Sequence, residues 1–297
     1  MTSDGNGFKR TLHFDHPPQR VVSLVPSMTE SMFDLGLGSA LVGITDYCVY
    51  PHGALQGLPR LGGPKNPRVE DILALQPDLV LANMEENTRQ AVEAMEAHGL
   101  QVWVTFPKTV REALDVLWLI TGVFSSRSAA LRIETLEVTV DWCESSLGTL
   151  QPLRYFCPIW MEAGSPDRMW WMTFNSQTYA NDVLRLSGGE NTFADRTRLY
   201  PLAADLGVET PEDPRERDTR YPRLSLQEIH SANPELILLP SEPFPFDEAQ
   251  RQQVSELFAD TRAVQEGQVY LVDGSLITWH GTRLARALQI LPGLFSN

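Results

Sequence analysis

Basic residues are scarce in this chain: 24 Lys and Arg stand against 38 Asp and Glu, a net charge of −14 at pH 7. Nucleic-acid proteins draw most of their affinity from neutralised phosphates, so this balance excludes a nucleic-acid partner. Cysteine is nearly absent too, with Cys48, Cys143 and Cys157 far apart and no C-x-x-C pair. Neither a zinc ribbon nor a complete disulfide framework can be read from them, and the odd count fits a reducing compartment. No run approaches the roughly 18 to 20 apolar residues that cross a bilayer, so no transmembrane segment is expected. The first twenty residues are polar and lack the apolar centre of a secretory signal. The chain as written is therefore expected in the cytosol, or in the periplasm or at the cell surface if its true start lies upstream. The patterns G-x-x-x-x-G-K-[ST], G-x-G-x-x-G after a strand, G-x-S-x-G and H-E-x-x-H are all missing, which removes the enzymes most legible in sequence.

What is present is an ordinary globular composition, 42% hydrophobic over 297 residues. That length accommodates about two domains of roughly 150 residues, each with its own core. The β-branched run 20–25 predicts a buried strand that stops at Pro26-Ser27, followed by a helix over 30–37 that Gly36 and Gly38 close. Further strands are predicted at 41–44, 79–82 and 101–105, with helices at 71–75 and 89–98. Strands alternating with helices give an α/β class with a mainly parallel sheet. Residues 125–147 contain no Pro and no Gly, and Ile133, Leu136, Val140, Cys143 and Leu147 recur at spacings of three and four. This predicts one helix about 34 Å long, enough to run from one domain to the next.

An internal repeat supports that division. Residues 70–81 and 227–238 match at a constant offset of 157, each reading as a short helix, a Pro-acidic turn and an apolar strand. Each copy follows a Pro-Arg pair and is followed by an acidic loop, at 84–87 and 241–244. The repeat predicts a polar leader over 1–19, an α/β lobe over 20–124, a linking helix over 125–149 and a related α/β lobe over 150–297. The charge-dense stretch 210–221 is read as a solvated loop.

Aromatic residues then gather where loops are expected. Trp160, Trp170, Trp171 and Phe174 fall within fifteen residues, interleaved with Met161, Met169, Met172 and a polar turn at 164–167. Adjacent Trp170 and Trp171 point to opposite faces of an extended chain, so at least one should face a cleft or a loop. Trp279 and His280 follow a strand at 269–272, a position where α/β folds hold ligands, as do Asp46 and Tyr47 after the strand at 41–44. Glu85 and Glu86 end the strand at 79–82. Two carboxylates there suit a cation or a solvated rim, and the rim is favoured.

These residues resemble a known family: the helical-backbone substrate-binding proteins of ABC importers for cobalamin, haem and iron-siderophores. The resemblance runs from about Arg20 to the C-terminus, through Arg20-Val-Val-Ser-Leu-Val-Pro-Ser27, Val42-Gly-Ile-Thr-Asp-Tyr47, Leu61-Gly-Gly63 and Ser187-Gly-Gly-Glu-Asn-Thr-Phe-Ala-Asp195. It looks closest to the cobalamin-binding branch and to relatives described as helical backbone metal receptors. It implies two α/β lobes joined by one rigid helix, with a ligand in the cleft between them. It also implies Tyr47, Trp160, Trp170, Trp171, Phe244 and Trp279 lying against that ligand, with Glu85, Glu86 and His280 nearby. Importer docking in the family uses one acidic residue on each lobe. Glu70 matches on the first, while the second has neutral Gln227 with Glu228 beside it.

The expected function is thus non-enzymatic binding of a metal-containing tetrapyrrole or chelate, cobalamin-like first, by a monomer that requires no cofactor of its own and has an ABC permease as partner. The acidic loops tilt the ligand towards a neutral or cationic one. The alternatives are a cytosolic corrinoid or metal-chelate sensor or chaperone on the same scaffold, and a metal-assisted hydrolase or chelatase-like enzyme using His280, Glu85 and Asp46.

Overall fold

The computed structural model describes residues 14–148, 151–162, 164 and 169–296. Most of the leader read over 1–19, and all of the 164–167 turn except Gly164, lie outside these residues. The chain divides into two compact units. The first holds the described chain to Pro107, Arg111–Thr139 and His280–Arg283, and the second holds Lys108–Val110, Val140–Trp279 and the chain from Leu284 onward. The changeover falls inside the long helix, between Thr139 and Val140, and four residues near the C-terminus return to the first unit.

In the first unit, β1 (Val21–Ser23), β2 (Leu41–Ile44), β5 (Leu79–Asn83) and β6 (Val102–Thr105) form one sheet in the order β2-β1-β5-β6, with every pairing parallel. A parallel sheet is covered on both faces, which is why β1 and β5 are buried at every position and read as near-continuous apolar runs. A short hairpin of β3 (Gly62–Gly63) and β4 (Asn66–Pro67) precedes helix α2 (Val69–Ala74). Val22, Leu24, Leu61, Ile72, Val80, Val92, Met95 and Val102 make the core beneath α2 and α3 (Arg89–Ala97). Helix α1 (Pro26–Asp34) begins four residues earlier than the expected 30–37. Proline suits the first helical turn because no N–H is needed there, and Gly36 at φ +76° ends the segment. Helix α4 (Val110–Val123), which the sequence reading did not identify, precedes α5 (Arg127–Ser146). The 20 residues of α5 span about 30 Å, with Ile133, Leu136 and Val140 buried as their spacing predicts.

The second unit repeats the same sheet order. Strands β7 (Leu153–Phe156), β10 (Gly189–Asn191), β12 (Leu236–Pro240) and β13 (Val269–Val272) pair in parallel as β10-β7-β12-β13. Matching β7 to β1, β10 to β2, β12 to β5 and β13 to β6 reproduces the first sheet. A second sheet of β8 (Trp160–Glu162), β9 (Trp170–Met172) and β11 (Arg223–Ser225) is antiparallel in the order β11-β9-β8. This corrects the expectation that the Trp/Met stretch lies in loops: it is two strands. Helices α6 (Tyr179–Leu186), α7 (Leu202–Asp205), α8 (Leu226–Ala232), α9 (Glu248–Leu257) and α10 (Arg262–Gln265) fill the connections. Helices α11 (Ser275–Thr278) and α12 (Leu284–Ile290) follow β13.

The repeat carries its own fastening in each unit. At the end of α2, Gln76 takes a left-handed φ of 46°, and at the same place after α8 Asn233 does likewise. Each left-handed residue stops its helix just before the Pro that opens the next strand. Asp78 then accepts the backbone N–H groups of Gln19 and Arg20 at 2.8 and 3.0 Å, while Glu235 accepts that of Arg154 at 2.9 Å. The side chain of Arg20 donates to Leu75 O at 2.6 Å, and that of Arg154 to Ala232 O at 2.9 Å. Both arginines cap the carbonyl end of a helix, where a positive charge meets the negative end of the dipole. The Pro-acidic turn is therefore conserved between the copies for a structural reason: its carboxylate anchors the strand next door.

Candidate functional site

Ligands of open α/β sheets bind beyond the carboxyl ends of the strands. In the first unit those ends carry Asp46 and Tyr47 after β2 and Met84 to Asn87 after β5. Tyr47 is 65% exposed, and Glu85 is exposed while Glu86 is half-buried. The β3-β4 hairpin ties the two loops together. Asp46 N–H donates to Gly62 O at 2.9 Å, Lys65 Nζ reaches the carbonyl of Glu85, and Asn87 Nδ2 donates to Pro64 O at 2.9 Å. Tyr47, Glu85 and Glu86 are thus brought to one end of one sheet.

Beneath the 85–87 loop lies a buried polar cluster. Asn83 Oδ1 accepts Glu85 N–H at 2.8 Å, and Asn87 Oδ1 accepts Asn83 N–H at 2.7 Å. With its oxygen so engaged, Asn83 presents its amide N–H to His280 Nε2, 3.2 Å away. His280 Nε2 must then accept, which makes the ring neutral. Burial agrees, pushing the His280 pKa down to about 4. His280 is therefore a buried supporting residue of the loop, at 6% exposure, rather than a side chain offered to a ligand as expected. Among the described residues no three His, Cys, Asp or Glu side chains gather to hold a metal ion.

Sequence reasoning passed over how residues 280–283 are held in this unit. Arg283 makes a two-pronged ion pair with Glu30 of α1, both bonds at 2.7 Å, with the arginine side chain 2% exposed. Its guanidinium also lies 4.2 Å from the ring centre of Tyr50, and Thr282 Oγ1 donates to Asp34 at 2.7 Å. Only the fold puts Arg283 beside Glu30, some 250 residues earlier in the chain. A separate depression of about 320 Å³ is lined by Asp46, Cys48, His52, Leu55 and Arg60 among others. Burial raises the Cys48 thiol pKa, and Thr29 and Thr45 hydroxyls stand 3.1 and 3.2 Å from its sulfur, so this cysteine is a packed thiol.

In the second unit, β8 follows β7 and brings Trp160 out at 39% exposure. The loop after β12 places Phe244 edge-on to it, ring centres 5.5 Å apart, with Phe246 a further 4.7 Å from Phe244. The Phe244 loop is pinned at its base: Gly274 N–H donates to Ser241 Oγ at 3.1 Å, and Thr278 Oγ1 donates to Glu242 at 3.0 Å. Any Cβ on Gly274 would sit 2.7 Å from the Glu242 backbone. Trp170 and Trp171 do face opposite ways. Trp170 is half-buried, with the Arg223 guanidinium 5.8 Å from its ring, whereas Trp171 is wholly buried among Phe156, Met161, Leu224 and Phe258. Trp171 is a core residue, which corrects its assignment as a ligand contact. Alternation along β9 sends it inward because the three-stranded sheet has one face on the core. Trp279 is half-buried at the end of α11.

The two acidic positions expected to dock a partner differ. Glu70 is exposed in the first turn of α2. Its counterpart Gln227 is exposed and neutral, and Glu228 is engaged by Arg196 at 2.8 Å.

Residues 21–276 match the profile of a family described as periplasmic binding protein. This chain belongs to that family. Among curated relatives, a vitamin B12-binding protein of Yersinia pestis (strain Pestoides F) is 30% identical over 193 residues, covering 65% of this chain and 66% of the relative. A vitamin B12-binding protein of Vibrio vulnificus (strain YJ016) is 26% identical over 193 residues, 62% of this chain and 65% of that one. The matched regions thus span just under two thirds of these relatives. Among solved structures, the periplasmic vitamin B12 binding protein BtuF of Vibrio cholerae superposes with a TM-score of 0.73 at 23% identity, covering 94% of this chain and 97% of that one. The periplasmic heme-binding protein BhuT in complex with two hemes gives 0.70 at 19%, covering 93% and 99%. At such identities the superpositions establish the fold, and the family is one of solute-binding proteins. Among the described residues no helix is long and apolar enough to cross a membrane.

Proposed function

We propose that this protein is the substrate-binding component of an ABC importer, that it takes a corrinoid or a kindred metal chelate, and that it binds without turnover and without a resident cofactor. The observation that carries this reading is the pairing of exposed Trp160 with Phe244 at the carboxyl end of one parallel sheet, with Tyr47 exposed at the matching end of the other. Exposed aromatic rings cost free energy in water and regain it against a flat apolar ligand, which is how most of the affinity would arise. The relatives named as vitamin B12-binding proteins support the same ligand class.

Titration of the purified chain with cyanocobalamin tests this, read by tryptophan quenching and by the visible spectrum of the ligand. Trp160→Ala should weaken binding about tenfold to hundredfold, the worth of one large buried ring. Absence of any change with cobalamins, haemin and ferric siderophores alike would reject the reading.

A second reading, binding of the same ligand without delivery to a permease, is favoured by the Arg196 pairing of Glu228 and the neutral Gln227. A carboxylate already paired cannot also serve an arginine of a partner at full strength. Cell fractionation separates the two: protein found only in the cytosol leaves no permease to serve, and protein in the periplasm or at the cell surface supports delivery.

A further inference from the structure

The loop between β2 and the β3-β4 hairpin encloses a compartment of the first unit. Ile44 N–H donates to Pro59 O at 3.0 Å and Leu61 N–H to Ile44 O at 2.9 Å, so residues 45–60 leave the sheet and return to it through one neck. Surface loops with neighbouring ends are packed by their own side chains. Here Cys48 and Leu55 pack the base, joining Ile44 in a small hydrophobic cluster flanked by Phe33 and Leu58. The depression of about 320 Å³ is left beside them, at the small end of the volumes that hold ligands. Backbone conformation shapes its wall: Gly53 and Gly57 each take a φ of +83°, where a side chain would be strained. The N–H groups of Ala54 and Leu58 close turns on Pro51 O and Leu55 O.

Two opposite charges line this depression without pairing. Cys48 N–H donates to Thr45 O at 3.2 Å, which makes Asp46 and Tyr47 the central residues of a tight turn. Arg60 Nη1 donates to the carbonyls on either side of that pair, Thr45 O at 2.9 Å and Cys48 O at 2.7 Å. One nitrogen of the guanidinium is thereby fixed to the turn, while Nη2 and Nε keep their N–H groups to offer. Asp46 is anchored by its own N–H on Gly62 O at 2.9 Å. Among the described residues its carboxylate has no hydrogen bond or ion pair, and Arg60 has no carboxylate partner. The gap between the two is thus set by backbone bonds at each residue. Val49, 45% exposed, and Leu55 add apolar surface to the lining, and His52 stands beside them.

We propose that this depression is a site for a small zwitterion with an apolar side chain, the chemistry of a free α-amino acid. The ammonium group meets Asp46, the carboxylate meets the open edge of Arg60, and the side chain covers Val49 and Leu55. A guanidinium fork matches a carboxylate, which suits Arg60 to that half of the ligand. An exposed ion pair by itself adds little, so a ligand of one charge gains too little to stay. One that carries both charges and buries apolar surface binds at a dissociation constant on the order of 1 mM. The site lies wholly within the first unit and stands apart from the tetrapyrrole or chelate reading above, which neither supports it nor depends on it.

Nuclear magnetic resonance of the full chain provides the test, with the Arg60 Nε–Hε resonance assigned by its loss in Arg60→Lys. L-Leucine should shift that resonance and the backbone amides of 45–60 in a saturable way. Leucinamide, which lacks the carboxylate, and 4-methylpentanoate, which lacks the ammonium group, should each bind about fivefold more weakly. Asp46→Asn should weaken leucine to the level of 4-methylpentanoate, and Arg60→Gln should remove the preference for leucine over leucinamide. Arg60→Gln also frees the Thr45 and Cys48 carbonyls and can disturb the turn. Asp46→Asn breaks no bond of the turn and keeps the test decisive. Resonances unmoved by about 50 mM leucine would overturn the proposal. So would a half-ligand that binds the parent as tightly as leucine does, since the depression would then read only one charge.

Discussion

Acidification should loosen the first unit through one residue. His280 is buried against Asn83, whose oxygen is committed to Glu85 N–H and so cannot rotate to meet a protonated ring. Its pKa falls from 6.5 to about 4 on folding because burial disfavours the charged form. The unfolded chain therefore binds the proton more tightly in the window between these values. The stabilisation is fully present above pH 6.5 and is lost as the pH falls towards 4. At about 1.4 kcal/mol per pH unit, the whole loss is about 3 kcal/mol. Urea unfolding of the parent and of His280→Gln, followed from pH 7 to pH 4, isolates this contribution, since every carboxylate titrates in both. The glutamine keeps an acceptor for Asn83 and does not titrate. The stability difference between the two proteins should shrink or reverse by about 3 kcal/mol across the window. A difference that stays constant with pH, or a His280 ring resonance titrating near 6.5 in the folded protein, would refute the reasoning.

The two tryptophans on neighbouring strands should separate stability from binding. Trp171→Ala empties a fully buried site and should cost about 3 to 5 kcal/mol in chemical unfolding, whereas Trp160→Ala should leave the unfolding midpoint nearly unchanged and weaken the ligand. The repeat predicts matched penalties: Asp78→Ala and Glu235→Ala each remove a charged anchor for a neighbouring strand and should each lose about 1 to 3 kcal/mol. Unequal losses would show that the two copies are not fastened alike. Gly274→Ala forces a methyl against the Glu242 backbone, so protease nicking within 241–246 should rise before any global unfolding is seen.

Much of the architecture was legible because its signals are local. Buried parallel strands read as apolar runs, as in 79–82, and Gly36 marked the end of α1 without help from any distant residue. The 157-residue repeat predicted equivalent roles, and the structure supplies them down to the left-handed Gln76 and Asn233. The miscast residues were those whose role depends on partners far away in sequence. Trp171 and Trp160 are alike in composition and neighbourhood, yet one is core and one is surface, because Trp171 pairs with Met161 on the core face of the sheet while Trp160, one residue before Met161, points to the other face. His280 looked like an offered ligand residue until Asn83, 197 positions earlier, was found beside it. Dense charge likewise marked 210–221 as an exposed loop, whereas its hydrogen bonds to Arg198 and Tyr200 gave no local sign.

The sequence alone determined the α/β class, the two related copies and the family, since hydrophobic period, turn chemistry and repetition are written in consecutive residues. Only the tertiary structure decided which aromatic rings are exposed and which carboxylates are already engaged. Those are questions of burial and of opposite charge within a few ångströms, and chain order does not carry that distance.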